Sequence, residues 1–240
     1  MKNFTYLFVI SILIFGTQSC KKKGCMDSSA ANYNDEAKKD DGTCVYTPVI
    51  TLNGASDTTI SVATEWTDPG ATAANIDGAI VAVTDNSTVD AGEVGVYEVT
   101  YTATNDNGTS TVVRTVHVVV NQDTWLGDWG VSDDCGGGTG LALNTAPTIV
   151  EGGSGDQILI TDFFSGITGS YGTAICQIDG NQVTIASASD GAPGGLGDIN
   201  YEGINGVMSS NGLSFTITFI YQNTTPLTGG SGTCTATYSK

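Results

Sequence analysis

Basic residues are the scarcest feature of this 240-residue chain: eight lysines and arginines stand against 25 acids, with a single histidine. Between residues 48 and 122 the only base is Arg114, against nine acids; from 123 onward it is Lys240, against eleven. Stretches so poor in cations cannot neutralise phosphates, which excludes nucleic acid as a partner. They give the folded part of the chain equally little with which to attract an anionic lipid surface. Long apolar runs are also missing. The longest is Phe4 to Phe15, twelve residues, whereas a membrane-spanning helix needs about 20. No stretch has a helical period. There is no Ser/His arrangement, no His/Cys metal cluster and no phosphate loop, so no constellation for catalysis stands out and the chain is not expected to be an enzyme. Carboxylates such as Asp133, Asp134 and Asp162 form no glycosidase motif, since any strongly acidic chain offers such pairs. The acidity itself has two readings: solubility of an exported protein, or oxygen ligands for calcium.

The N-terminus carries an address. Lys2 supplies a positive region, the twelve-residue run follows, and small residues lead to Cys20. This is the pattern of a processed export signal. Its end resembles the lipobox of bacterial lipoproteins, in which the Cys becomes the lipidated N-terminus of the mature chain. The resemblance implies removal of residues 1–19, lipidation of Cys20 and attachment to the membrane through that lipid. Gly16-Thr17-Gln18-Ser19 departs from the commonest lipobox, so an ordinary secretory signal is the competing reading. Loss of Lys2 leaves seven basic against 25 acidic residues, a net charge of −18. Lys21-Lys22-Lys23 begins a polar tether, and the first acid is Asp27. The expected location is the outer membrane, lipid-anchored, on the periplasmic or the cell-surface side.

Six cysteines in an exported protein read as disulfides plus a remainder. With Cys20 carrying lipid, five are left. Cys25 and Cys44 bracket one short segment, and Cys135 and Cys234 lie near the two ends of the C-terminal region. These are the two expected pairs. Cys176 remains, in the apolar stretch Ala174 to Ile178, where a buried inert thiol is the default. Residues 20–47 thus comprise anchor, tether and a cysteine-bounded acidic motif. Gly24, Cys25, Asp27, Ala31, Asn32, Tyr33 and the run Asp40-Asp41-Gly42-Thr43-Cys44, with Tyr46, resemble a small repeat recurrent in secreted and lipid-anchored bacterial proteins. Asp27, Asn32, Asp40 and Asp41 are the candidate calcium ligands here, set against the reading that acidic turns are simply solvated.

Residues 48–121 read as a run of short strands at 49–52, 59–62, 79–83, 96–104 and 109–120. Asn105-Asp106-Asn107-Gly108 lies between the last two, and its Asn-Gly suits the positive φ angles of a tight hairpin. The period-2 alternation predicts a small β-sandwich. Pro48 to Gly54, Asp68-Pro69-Gly70-Ala71-Thr72-Ala73, Gly95 to Ala103 and Arg114-Thr115-Val116 resemble a bacterial Ig-like family also found in pesticidal crystal proteins and related to the HYR repeat. That resemblance implies a spacer or adhesion module and brings no catalytic residues. His117, alternating with Val116 and Val118, reads as structural.

Residues 122–240 hold 23 of the 32 glycines from position 125 on. Strands are expected at 125–133, 156–163, 170–178, 182–187, 199–207, 213–221 and 233–238, with one more around 146–151. Seven or eight antiparallel strands fit an up-and-down barrel, closed so that no edge is exposed. A Cys135–Cys234 bond joins the first strand to the last, which are neighbours only when the sheet curls round. Gly127-Asp128-Trp129, a Cys soon after and Cys-Thr-Ala-Thr-Tyr at the end are similar to a lipocalin-like C-terminal domain of bacterial lipoproteins. Barrels of eight strands fill themselves with side chains or hold one small ligand, and Trp125 and Trp129 read as plug rather than platform.

The chain is therefore expected to be all-β, an Ig-like sandwich followed by an antiparallel lipocalin-like barrel. Two functions follow. One is a lipid-anchored envelope binding protein whose Ig-like stalk presents a barrel to a glycan or other small ligand. The other is a structural or adhesive protein that contacts only envelope proteins. No cofactor is expected beyond calcium.

Overall fold

The computed structural model describes residues 21–135, 141–166, 169–191, 197–226 and 229–240. Cys20 and the signal segment 1–19 lie outside the described residues. Contacts divide the described chain into two compact units. The first takes residues up to Val49 together with Ala73–Ala82 and Ala103–Ser110; the second takes Ile50–Thr72, Val83–Thr102 and Thr111–Lys240.

In the first unit, β1 (Lys23–Gly24) and β2 (Lys39–Asp40) pair in parallel, Lys23 opposite Lys39. Cys25, Ala30 and Ala37 are the segment's buried apolar residues, far too little for a core. The Cys25–Cys44 disulfide, with Cα atoms 4.8 Å apart, takes its place. Closing a loop of this size contributes about 3 kcal/mol by restricting the unfolded chain. The segment ends against the hairpin tip of the next module: Asn105 Nδ2 donates to Tyr46 O at 3.0 Å and Ser110 Oγ to Thr47 Oγ1 at 2.8 Å.

The Ig-like module consists of β3 (Val49–Leu52), β4 (Asp57–Ser61), β5 (Ala71–Ala74), β6 (Ile80–Val81), β7 (Val83–Asp85), β8 (Gly95–Asn105) and β9 (Gly108–Val119). They form a three-stranded sheet in the order β3-β5-β6 and a four-stranded sheet in the order β4-β9-β8-β7, with β4 parallel to β9. The alternation read from the sequence holds: Val99, Tyr101 and Ala103 face inward on β8, and Arg114, Val116 and Val118 on β9. Strand β5 is not among the strands expected, because Ala-Thr-Ala-Ala carries little β-propensity of its own. The β8–β9 turn also differs. Only Gly108 takes a positive φ, +135°. Asn107 stays in the ordinary region, and its N–H is held by Asn105 Oδ1 at 2.9 Å.

Inside this sandwich Arg114 is 1% exposed. Its guanidinium donates to Asp68 Oδ1 at 2.8 Å, to Asn53 O at 2.6 Å and to Gly70 O at 3.2 Å. The Tyr101 hydroxyl donates to the same Asp68 oxygen, and Arg114 lies 5.5 Å from the Tyr101 ring centre. Burial, and then the Asp68 carboxylate, push the Tyr101 hydroxyl up to about 12, so it stays a donor. Arg114 therefore ties β9 to the loops on either side of β4.

The C-terminal module opens with α1 (Gln122–Trp125), a single helical turn capped by Asn121, over residues read as a joint. The strands are β10 (Gly127–Asp128), β11 (Gly130–Asp133), β12 (Thr148–Glu151), β13 (Gln157–Gly166), β14 (Gly169–Asp179), β15 (Gln182–Ile185), β16 (Ala188–Gly191), β17 (Asp198–Met208), β18 (Ser214–Asn223) and β19 (Gly230–Ser239). The main sheet runs β10-β12-β13-β14-β15-β17-β18-β19-β11, with β16 added on β17. Its two ends are the halves of one extended stretch, divided only by Trp129. Gly127 and Asp128 pair with β12, whereas Gly130 to Asp133 pair with β19. Trp129 N and Val131 N also donate to Pro147 O and Thr145 O, so the sheet closes. The Cys135–Cys234 disulfide, Cα atoms 4.4 Å apart, sits at this seam as expected. Some of the glycine richness has a packing cause. A Cβ on Gly203, at the β17 bulge, would stand 2.5 Å from Ile185 N, so the strand crosses there only without a side chain.

Within the second unit the apolar interior is continuous. Val62, Val116, Val118 and Val120 belong to the same buried cluster as Trp125, Phe215 and Tyr238. Val94 N donates to Ser210 O at 2.9 Å, and Gly212, at φ +68°, approaches Val62 so closely that a Cβ would lie 2.7 Å from its Cγ1.

Two stability outcomes follow. Arg114→Ala removes the buried cation that binds the partly exposed Asp68 carboxylate and two backbone carbonyls, and is expected to cost about 3–5 kcal/mol in denaturant unfolding; a loss below 1 kcal/mol would refute this role. Replacing Cys135 and Cys234 by serine removes a cross-link spanning 99 residues, worth about 4.7 kcal/mol in the chain-entropy model, read as a fall in the barrel's melting temperature.

Candidate functional site

The barrel lumen is occupied by its own rings. Phe215 stacks on Tyr238 with centroids 4.3 Å apart and meets Trp125 and Trp129 edge-on at 5.1 and 4.9 Å. Phe163 packs against Phe164, Tyr201 and Phe219 at 4.7, 5.6 and 5.6 Å. Trp125 and Trp129 are both buried, and Trp129 Nε1 donates to Trp125 O at 2.8 Å. The Lys240 ammonium lies 4.6 Å from the Trp129 ring centre and donates to Thr124 O at 2.9 Å. These two tryptophans are plug, as the sequence reading has it, and these rings fill the lumen.

The concave feature is outside. Adjacent residues of the 187–189 segment, β17 and β18 line an open groove of about 510 Å³. Strand register explains its shape. Ala188, Tyr201 and Tyr221 form one cross-strand row, and Ser189, Asn200 and Gln222 the next. Glu202 and Ile220 continue on the other side, beside Ser187. Tyr201 and Tyr221 point inward, while Asn200, Glu202, Ile220 and Gln222 stand exposed around the groove. One wall is pinned from within: the Tyr201 hydroxyl donates to Asp190 Oδ2 at 2.8 Å and to Thr173 O at 3.3 Å. Burial, followed by the Asp190 carboxylate, raises the Tyr201 pKa well above its ordinary value, so the proton that ties β16 to β17 is retained. Amides, hydroxyls, one carboxylate and an aliphatic patch give this surface donors and acceptors for a hydroxyl-rich ligand and no cation. Sequence reading places Ser187, Asn200, Tyr201, Glu202, Ile220 and Tyr221 on strands and leaves Ala188, Ser189 and Gln222 outside them.

The candidate calcium ligands are spent locally. Asp27 Oδ1 accepts from Ser29 N and Ser29 Oγ, and its Oδ2 from the Tyr46 hydroxyl at 2.7 Å. Asn32 Oδ1 accepts from Val45 N at 3.0 Å, Asp40 Oδ1 from Gly42 N at 3.1 Å, and Asp41 Oδ1 from Thr43 N and Oγ1. Asp27, Asp40 and Asp41 each close a turn, and Asn32 ties the middle of the motif to its end. Among the described residues the one group of three close metal-type ligands is Asp133, Cys135 and Cys234, two of which are joined as a disulfide. Asp133 and Asp134 accept from backbone N–H groups of Cys135 and Thr235. His117 faces Asp57 across β4 and β9 at 3.4 Å. Cys176 is fully buried and its thiol is pushed up to about 12 by burial alone.

Hydrogen bonds from Ser29 and Thr43 hold Asp27 and Asp41 below the ordinary value of 3.8. A depressed carboxylate contributes stability above its unfolded pKa and loses it as pH falls through the folded one. Amide protection at Ser29 and Thr43 is therefore expected to drop on acidification below 3.8 and to be flat from there to neutrality. Cys176 is expected to resist thiol reagents at neutral pH until the barrel is unfolded; rapid labelling of the native protein would contradict its placement.

No curated protein sequence matches the chain. Among solved structures, the chain is similar to a lipoprotein from Bacteroides thetaiotaomicron, with 16% identity, 80% of this chain and 100% of that one covered, and a TM-score of 0.30. It is also similar to the CBM51-2 and INT domains of ZmpB from Clostridium perfringens, with 17% identity, 80% of this chain and 43% of that one covered, and a TM-score of 0.25. Residues 50–118 match the model of the bacterial surface protein Ig-like domain, the span occupied by β3 to β9.

Proposed function

We propose that this is a lipid-anchored, non-catalytic binding protein of the bacterial cell envelope, and that the outer groove of its lipocalin-like barrel, not the lumen, holds a glycan. The carrying observation is the pairing of a ring-filled interior with a concave outer face built from Ser187, Ser189, Asn200, Glu202 and Gln222 around Ile220. Cell-envelope location is supported by the match to the surface Ig-like domain. Outer-membrane anchoring rests on Cys20. The missing cations make a neutral polysaccharide the favoured class, since uronic or sulfated sugars would meet Glu202 with no counter-charge. Catalysis is not assigned: Asp133 and Asp134 accept from the backbone amides of Cys135 and Thr235, and Asp162 is exposed on β13. The reading includes no calcium, since Asp27, Asp40 and Asp41 accept hydrogen bonds within the motif.

A second reading, an adhesive protein that contacts only other proteins, is favoured by one observation: Ile80, Val96 and Val113 on the Ig-like module are 92%, 66% and 42% exposed. Retention of the detergent-solubilised mature protein on neutral polysaccharides separates the two. Binding is expected to fall about tenfold in Asn200→Ala/Gln222→Ala, two hydrogen bonds at roughly 0.7 kcal/mol each, with the melting temperature unchanged. Undiminished binding in that variant would move the site elsewhere, and retention by envelope proteins alone would establish the second reading.

A further inference from the structure

The chain's cations are not scattered. Five of the seven lysines lie in or just before the cysteine-closed motif: Lys21, Lys22 and Lys23 in the tether, and Lys38 and Lys39 inside the loop. They come from two runs fifteen residues apart that the fold brings together. β1 and β2 pair in parallel with Lys23 directly opposite Lys39, and Lys38 N donates to Lys22 O at 2.7 Å. All five are exposed. Among the described residues Lys22 is the one of the five with an ion-pair partner, Glu36. Like charges facing each other across a strand pair are unfavourable, and Asp41, the acid within reach of Lys23, already binds Thr43. An external anion would relieve that repulsion. The other two bases cannot play this part. Arg114 is buried in its pair with Asp68, and Lys240 lies on Trp129.

We propose that this paired lysine cluster is a membrane-facing surface that docks on anionic lipid headgroups. Its position selects that occupant: Lys21 follows Cys20 directly, so an acyl chain there would place the cluster at the headgroup layer. The occupant thus rests on the lipid-anchor reading, whereas the cluster itself rests only on the fold. Basic residues at such a surface each contribute about fivefold in partitioning, and salt weakens the effect. The remainder of the chain, from residue 48 on, is strongly acidic and would be repelled by the same surface. Attraction at one end and repulsion along the rest would turn the cluster toward the membrane.

Amine footprinting of the mature protein tests this in vesicles of phosphatidylcholine alone and of a seven-to-three mixture with phosphatidylglycerol. Labelling of Lys23, Lys38 and Lys39 is expected to fall several-fold in the anionic vesicles only and to recover in high salt, with Lys240 unchanged as the internal reference. In Lys38→Ser/Lys39→Ser the protection of Lys23 is expected to shrink, while the motif's disulfide still forms. Equal labelling in the two vesicle types would overturn the proposal. The mass of the N-terminal peptide reports the acyl group separately, so an unlipidated Cys20 and an inactive cluster are distinct results.

Discussion

The barrel depends on a strand that changes partners at Trp129. On one side of that residue the chain pairs with β12, on the other with β19, and only a sheet curled through a full turn brings both neighbours within reach. Closure satisfies the backbone groups that an open sheet would leave along an edge. It also directs alternate side chains of every strand into one enclosed volume. Rings and branched chains fill it, and the short turn of α1 lays Trp125 beside Trp129 under the same cluster. Because the inside is spent on packing, the barrel's candidate recognition surface is on the outer wall, where the register of β16, β17 and β18 gathers amides and hydroxyls around a groove.

The Ig-like module uses a different device. Its apolar residues are small, mostly valine and alanine, and its two sheets are short. Arg114 compensates by spanning the interior with donors to Asp68 and to two backbone carbonyls. The arrangement is not fully satisfied, since Arg114 Nε has no partner. Buried ion pairs of this kind fix geometry more surely than they add net stability. Here the pair sets the loop that leads into β5, a strand whose own sequence would not specify one. Charge is distributed to match. The sole base of this module is inside it, and five of the seven lysines are collected in and just before the disulfide-closed segment that precedes it.

Much of the architecture was legible because it rests on local signals. Period-2 alternation located β8, β9 and most barrel strands, glycine and asparagine marked their turns, and cysteine positions pointed to both disulfides. The misses share a cause. β5, β16 and α1 are short segments of weak propensity, formed because neighbouring strands or a cap offer hydrogen bonds. The groove was illegible for the same reason: its residues come from three segments and adjoin only once β16 is placed. Two-residue strands in the cysteine motif gave no signal at all, so the convergence of the two lysine runs was hidden as well.

By itself, then, the sequence determined the all-β character, the strand periodicities, the excess of acidic residues and the cysteine pairing. Each of these follows from residue type or short-range order. Tertiary structure alone decided that the lumen is filled, that Arg114 is a buried strut, that the acidic oxygens of the motif close turns and that the lysines form one cluster. Those outcomes depend on distances between residues far apart in the chain, and such distances exist only after the strands have paired and the barrel has closed.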